Sequence, residues 1–256
     1  MKRAVVRIAK YGGAFLVVVA VAAFAFVSWS GGVVSERGAK TYTFKADELA
    51  PFKGEVDVNL GRRIAEVRAG CVECHGGDLG GHSVIEDPAM GNIHGPNITP
   101  TTLASWSDDE IGRAIRHGVS RNGRPLFLMP STDYVGMSGG DLASLVAYIR
   151  SVPAVDRATV PVTLGPVARV LVATGKMPNA FTAEVIDHAK PLGNKPEEAP
   201  TTAFGKYLAN ACTGCHGATF AGGPIVGGPP DWAPACAWAR TVSEPYGSRS
   251  DYPGWW

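Results

Sequence analysis

The stretch Leu60-Gly61-Arg62-Arg63-Ile64-Ala65-Glu66-Val67-Arg68-Ala69-Gly70-Cys71-Val72-Glu73-Cys74-His75 decides how this chain is read. It closes on C-x-x-C-H, and the same word returns as Cys212-Thr213-Gly214-Cys215-His216. That word is the attachment signature of a c-type haem. Two thiols add to the vinyl groups, and the adjacent histidine becomes the proximal iron ligand. The close spacing lets all three bonds form from one turn of chain against one porphyrin. A zinc ribbon also uses paired C-x-x-C words, and a thioredoxin-like couple uses one. Both leave the histidine after the second cysteine unexplained, and here it follows twice. The expected cofactors are two covalently bound c-type haems, one on Cys71 and Cys74 with proximal His75, one on Cys212 and Cys215 with proximal His216.

Helical patterns surround the first word. Leu60, Ile64 and Val67 recur at i, i+4, i+7 and predict a helix running into Cys71. Ser107-Asp108-Asp109-Glu110 is a capping box, followed by Ile111, Ala114 and Ile115 on one face. Gly118 and the Arg121-Asn122-Gly123-Arg124-Pro125 turn end that helix. Ser138 caps a last helix carrying Leu142, Leu145, Val146 and Ile149, which Pro153 stops. No sustained period-two run is visible, so this unit, residues 56–155, reads as all-α. A connector over 156–202 follows, with Pro166 opening a short helix and Pro191, Pro196 and Pro200 marking a linker. In the second unit, 203–256, Phe204, Tyr207, Leu208 and Ala211 form the face that leads into Cys212, and Gly205-Lys206-Tyr207-Leu208 answers Gly61-Arg62-Arg63-Ile64.

The N-terminus carries a different signal. Lys2, Arg3, Arg7 and Lys10 precede an uncharged run, 11–35, whose centre is apolar from Phe15 to Val27. Such a run spans a hydrocarbon core of about 30 Å. The four basic residues, 1–10, place that end in the cytoplasm and everything after the run outside. Ala23-Phe24-Ala25 also has the look of a signal-peptide cleavage site; an uncleaved anchor fits the apolar residues that continue to Val34. Either way the haem units are exported. Residues 36–55 then read as a polar stalk. Without the basic head, 20 basic residues face 23 acidic ones, a net of −3. There is no basic stripe, which excludes a nucleic-acid footprint.

A six-coordinate haem iron needs a second axial ligand, and methionine opposite histidine raises its potential. Among five methionines the choice for the first haem is Met129, in Leu126-Phe127-Leu128-Met129-Pro130, a loop stiffened by Pro125 and Pro130. Met90 and Met137 are rivals, and a packing role for Met129 is the competing interpretation. His82, His94, His117 and His188 read as surface or hydrogen-bonding histidines, with His94, in the Gly-rich loop Gly91-Asn92-Ile93-His94-Gly95, the first candidate for an exception. No Met or His follows His216. The second unit, with its odd Cys236 and closing Trp255-Trp256, therefore reads as truncated or atypical beside the first.

Gly95-Pro96-Asn97-Ile98-Thr99-Pro100, Trp106-Ser107-Asp108-Asp109-Glu110, Gly123-Arg124-Pro125, Met129-Pro130 and Ala147-Tyr148-Ile149-Arg150 resemble membrane-associated multihaem cytochromes c. They are most similar to the cytochrome c subunits of bacterial alcohol and gluconate dehydrogenases. The resemblance covers roughly residues 55 to 230 and is strongest in the first unit. It implies that Cys71 and Cys74 bind haem, that His75 and Met129 are axial ligands, and that Cys212, Cys215 and His216 repeat the attachment. It also implies electron relay from a dehydrogenase subunit towards a quinone-linked complex or terminal oxidase. The expectation is a single-pass protein of the bacterial cytoplasmic membrane with its haem units on the periplasmic side. It acts as a carrier rather than a catalyst, because the haem edge is the reactive surface. Dihaem peroxidase and haem-based sensor are the alternatives, both exploiting an open second haem.

Overall fold

A computed structural model describes residues 2–44 and 55–216. It opens on one long helix, α1 (Lys2–Ala39), and then gathers short helices around two packed cores.

The first core is built on a crossing of α2 (Val58–Arg63) with α7 (Gly139–Ser151). Asp57 caps α2, accepting from the amides of Asn59 and Leu60 at 2.8 and 3.1 Å. Ser138 caps α7 through the amide of Asp141. The helices meet at Gly61, where a Cβ would lie 1.9 Å from the Ser144 carbonyl oxygen. Only glycine lets the backbones approach this closely. Ile64, Leu142, Leu145, Val146 and Ile149 are all buried behind the crossing.

After Arg63 the helix widens into a π turn, Ile64–Arg68, closed by the amide of Ala69 donating to the Ile64 carbonyl at 2.7 Å. The sequence predicts Val67 on the buried face, yet it is 80% exposed while Ala65 is fully buried. The wider turn shifts the phase of every residue after it, so the 3.6-residue count fails at Val67. The chain then turns at Gly70 into α3 (Cys71–His75).

The all-α expectation needs correction. Helices take about half of the described residues, and a three-stranded antiparallel sheet accompanies them: β1 (His82–Asp87), β2 (Gly91–Gly95) and the short β3 (Thr163–Leu164), in that order. The strands escape a period-two search because the register slips between Ser83 and Ile85. A bulge there breaks the alternation that the search depends on. Next come α4 (Pro100–Leu103), α5 (Asp108–His117) and α6 (Ser131–Tyr134). The capping box on α5 forms as expected, Ser107 and Glu110 each bonding the other's amide, and Gly118 ends the helix in the left-handed region.

The second core lies where α1 meets α8 (Pro166–Ala173). Val34 packs with Val172, Met177, Ala180 and Phe181, and with Met90, Phe127 and Leu128. Arg37 donates to Glu184 at 2.6 Å and to the Val172 carbonyl at 2.8 Å. Up to Trp29 the helix is different: Tyr11, Phe15, Leu16 and Phe24 are 67–75% exposed, and Trp29 is 52% exposed. By length and composition Lys10–Ala39 is long and apolar enough to cross a membrane. The end of α1 is thus docked on protein. Beyond it, Tyr42 donates its amide to the Gly123 carbonyl at 2.8 Å. The rest of the expected stalk lies outside the described residues.

The expected linker is also pinned. The Gly193 amide donates to the Met137 carbonyl at 3.0 Å, and Lys195 pairs with Asp141. Then α9 (Thr202–Ala209), capped by Thr201, passes through a 3-10 turn, Asn210–Cys212, into α10 (Thr213–His216).

Candidate functional site

The strongest constellation gathers on α3. His75 is 8% exposed, and its Nδ1 lies 2.7 Å from the Pro96 carbonyl oxygen. A carbonyl only accepts, so Nδ1 carries the proton and Nε2 keeps its lone pair. Burial pushes the imidazole's pKa below its ordinary value, the Pro96 bond pulling the other way. The ring is therefore neutral at physiological pH, as a metal-ligating imidazole must be.

The segment that presents Pro96 is fixed on both sides. At Gly95 a Cβ would lie 1.7 Å from the Cys74 carbonyl oxygen, so the end of β2 runs directly over α3. Asn97 is 2% exposed and all its bonds are used. Its Nδ2 donates to the carbonyls of Val155 and Arg157 at 2.9 Å each. Its Oδ1 accepts from the Thr99 amide and hydroxyl at 2.9 and 2.7 Å. Arg157 also reaches back to Gly81 O at 3.0 Å and pairs with Asp78 at 3.0 Å. The loop after the histidine is closed by the Gly81 amide donating to the His75 carbonyl at 2.9 Å.

The two cysteines of α3 form no disulfide with each other. Burial pushes the Cys71 thiol up to about 12 and raises that of Cys74. A redox couple of the thioredoxin kind works through a depressed thiol pKa, the reverse of this environment. Among the described residues, no three His, Cys, Asp or Glu side chains converge as a metal cage would require. Neutral thiols on a helix whose histidine offers a free Nε2, beside an apolar cluster, fit covalent haem better than either alternative.

Met129 packs, half-buried, on the same apolar cluster as Cys71, Val72, Ile98 and Trp106. Its backbone is held from two directions. Thr182 Oγ1 and the Ser131 amide both donate to the Met129 carbonyl at 2.8 Å. The preceding residue, Leu128, sits at φ 56 and donates its amide to the Ala180 carbonyl at 2.8 Å. A leucine in the left-handed region costs about 1–3 kcal/mol and persists only when its surroundings force it. The rival methionines are core residues. Met137 is 4% exposed in the first cluster, and Met90 packs on the second.

Of the four remaining histidines, His82 and His94 lie in β1 and β2. His117 is fully buried, its Nδ1 3.1 Å from Nδ1 of His188. His188 Nε2 donates to the Ala183 carbonyl at 2.9 Å, so His188 Nδ1 accepts the proton that His117 offers. Both are hydrogen-bonding histidines, as the sequence suggests.

At the second word, Cys212 is exposed and His216 half-buried, with Cys215 between them in α10. Cys236 and the question of a truncated ending lie outside the described residues. The Gly95–Pro100 segment does work that sequence reasoning misses: the Pro96 carbonyl meets the histidine, and the Asn97 bonds aim it. A signal for it is legible, because an Asn two residues before Thr, after Gly-Pro, is a self-bonding turn.

Residues 58–149 match the family model described as "Cytochrome C oxidase, cbb3-type, subunit III". The chain is 31% identical over 196 residues, 70% of its length, to the gluconate 2-dehydrogenase cytochrome c subunit of Pantoea cypripedii. It is 35% identical over 101 residues, 36% of its length, to the fructose dehydrogenase cytochrome subunit of Gluconobacter japonicus. It is 34% identical over 98 residues, also 36%, to a nicotinate dehydrogenase subunit of Pseudomonas putida. These matches span 41%, 20% and 8% of the relatives' own lengths. The chain therefore carries a cytochrome c domain, a domain type that holds covalently bound c-type haem and transfers electrons, and it resembles dehydrogenase cytochrome subunits.

Proposed function

We propose that this chain is a membrane-anchored dihaem cytochrome c that relays single electrons from a dehydrogenase subunit towards the respiratory chain. Residues 56–155 hold the first haem and 203–256 the second, joined through 156–202. Cys71 and Cys74 attach the first haem, with His75 and Met129 as axial ligands. Cys212 and Cys215 attach the second, with His216 proximal. Bound haem supplies a one-electron iron couple, which the protein tunes and positions.

The observation that carries this reading is the hydrogen bond from His75 Nδ1 to Pro96 O. It orients the ring, leaves Nε2 as donor and raises the basicity of the ligand. Met129 offers a soft thioether from a loop fixed at both ends, a ligand that favours ferrous iron. The apolar cluster of Leu79, Ile98, Leu103 and Trp106 keeps water from that side. A low-dielectric wall disfavours the extra charge of ferric iron, in the same direction as the thioether. The relatives named as dehydrogenase cytochrome subunits support the donor, and the exposed apolar surface of α1 supports an anchor with the haem units on the periplasmic side of the cytoplasmic membrane.

The test is mass and visible spectra of the full chain matured in a host that attaches c-type haem. Two covalent haems per chain are expected, one of them low-spin and methionine-ligated. In Met129→Ala the first haem should bind carbon monoxide when reduced and lose its methionine signature. An unchanged spectrum would remove Met129 from the ligand set, and a chain without covalent haem would overturn the whole reading.

A further inference from the structure

Away from α3 and Met129, a dense polar cluster among the described residues centres on one carboxylate. Asp141, in the first turn of α7, is 2% exposed. Its Oδ2 accepts from Arg68 Nη1 at 2.5 Å and from the Tyr207 hydroxyl at 2.7 Å, and Lys195 Nζ lies 3.2 Å from Oδ1. Arg68 stands three residues before Cys71. Its guanidinium lies over the Tyr207 ring, 4.4 Å from the centroid, and donates to the Tyr207 carbonyl at 3.4 Å. Tyr207 stands five residues before Cys212, and its hydroxyl also meets Ser138 Oγ at 2.9 Å and accepts from the Ser138 amide at 3.1 Å.

The run-ins to both C-x-x-C-H words are thus tied to one buried acid. Farther along, the two words share a second neighbour. Tyr134 of α6 donates its hydroxyl to the Ala69 carbonyl at 2.6 Å, two residues before Cys71. The same α6 packs against α10, and Asn210 Nδ2 donates to the Asp133 carbonyl at 3.2 Å. One short helix thus touches both attachment segments, and it follows directly on Met129-Pro130.

We propose that Asp141 and Tyr207 are positioning residues that lock the second attachment segment onto the first haem unit at a fixed spacing, making the two sites one rigid pair. A buried carboxylate left without its partners is costly, so the contact selects one placement of α9 instead of many. The proposal rests on the dihaem reading for its purpose, but its geometry concerns only this chain's own residues. Burial would raise the Asp141 pKa, but the Tyr207 hydroxyl, Arg68 and Lys195 outweigh it and hold the carboxyl below its ordinary value. The lock is therefore closed at neutral pH.

The test uses the full haem-loaded protein in nanodiscs and the variant Tyr207→Phe, which keeps the ring under Arg68 and removes only the hydroxyl. Amide hydrogen exchange is followed over 202–212, with circular dichroism of the Soret band to report coupling between neighbouring haems. The expected result is at least tenfold faster exchange in α9 and a weakened bisignate Soret signal, with α7 protection and the first haem's absorption unchanged. Exchange in α9 equal to wild type overturns the proposal. So does loosening that spreads equally through α7, which would make the contact general to the fold. If wild-type mass shows a single haem, the dihaem reading fails while the exchange comparison still decides whether Tyr207 positions α9.

Discussion

Gly61 and Gly205 occupy matching places in the two run-in helices, yet the structure treats them oppositely. Replacing each by alanine isolates the helix crossing as the element that holds the first core together. At Gly61 the new Cβ would stand 1.9 Å from Ser144 O and 2.8 Å from Tyr148 Cβ. A carbon and a carbonyl oxygen rest at roughly 3.3 Å, so α2 and α7 must part by about 1.4 Å. A gap of even 0.5–1 Å forfeits a quarter to a half of each dispersion contact, and a buried leucine makes about 40–60 contacts of ~0.1–0.2 kcal/mol. Losing half of one leucine's worth at the crossing costs about 2–6 kcal/mol. The better helix propensity of alanine returns about 1 kcal/mol. The net loss is about 1–5 kcal/mol, which brackets the cost of about 1–3 kcal/mol typical of an overpacked core position.

At Gly205 no atom among the described residues lies within 4 Å of the added Cβ, and the residue is exposed. The same substitution there gains about 0.4–1 kcal/mol by stiffening the unfolded chain. Thermal melts of the haem-loaded protein, followed by far-ultraviolet circular dichroism, should separate the two. At about 4 °C per kcal/mol, Gly61→Ala falls by about 4 to 20 °C while Gly205→Ala holds or rises. If Gly61→Ala melts within about 2 °C of wild type, the crossing is not the close backbone contact described, and the account of the first core is wrong.

Thr182→Ala should lower stability by about 1 kcal/mol and increase the carbon monoxide-accessible fraction of reduced haem. Thr182→Ser, which keeps the bond to the Met129 carbonyl, should restore both in denaturant titrations and CO difference spectra. The buried His117 gives a pH signature. Burial, the neighbouring Arg116 and Arg113 guanidiniums and His188 lower its pKa to about 4, below the unfolded value of about 6.5. Between those values the unfolded chain binds the extra proton, so stability should fall as pH drops from about 6.5 to 4, by up to ~1.4 kcal/mol per unit. His117→Phe should flatten that slope; an unchanged slope would place the acid sensitivity elsewhere.

How much of the fold is legible in the sequence depends on whether the cause is local. The capping box at Ser107, the Ser138 cap, Pro166 at the start of α8 and the C-x-x-C-H words are short-range chemistry, and the sequence announces them. Val67 misleads because one π turn changes the phase of a helix without changing its composition. The sheet is invisible because a bulge in β1 and a two-residue β3 leave no alternation to count. Asn97 and Arg157 stand 60 residues apart, and only the folded chain shows that the Arg157 carbonyl helps fix the turn that aims Pro96 at His75. Arg68, Asp141 and Tyr207 are each ordinary surface types in isolation. Their meeting is a property of the fold.

The docking of the end of α1 is illegible in the sequence for the same reason, and it changes how the site is held. Without that docking, the loop that carries Met129 would owe nothing to α1. In the structure the connection is continuous. Val34 and Arg37 of α1 pack on Phe181 and Glu184. The neighbouring Ala180 carbonyl receives the Leu128 amide, and the Thr182 hydroxyl holds the Met129 carbonyl. The connector therefore bridges the end of α1 and both flanks of Met129. Leu128 can remain at φ 56 only while that bridge is packed, because an isolated loop would relax the strain by moving the methionine. Under the proposed ligation by Met129, the loop that carries the sixth ligand is pre-positioned by the docking of α1, and the docked end of that helix belongs to the haem-binding unit.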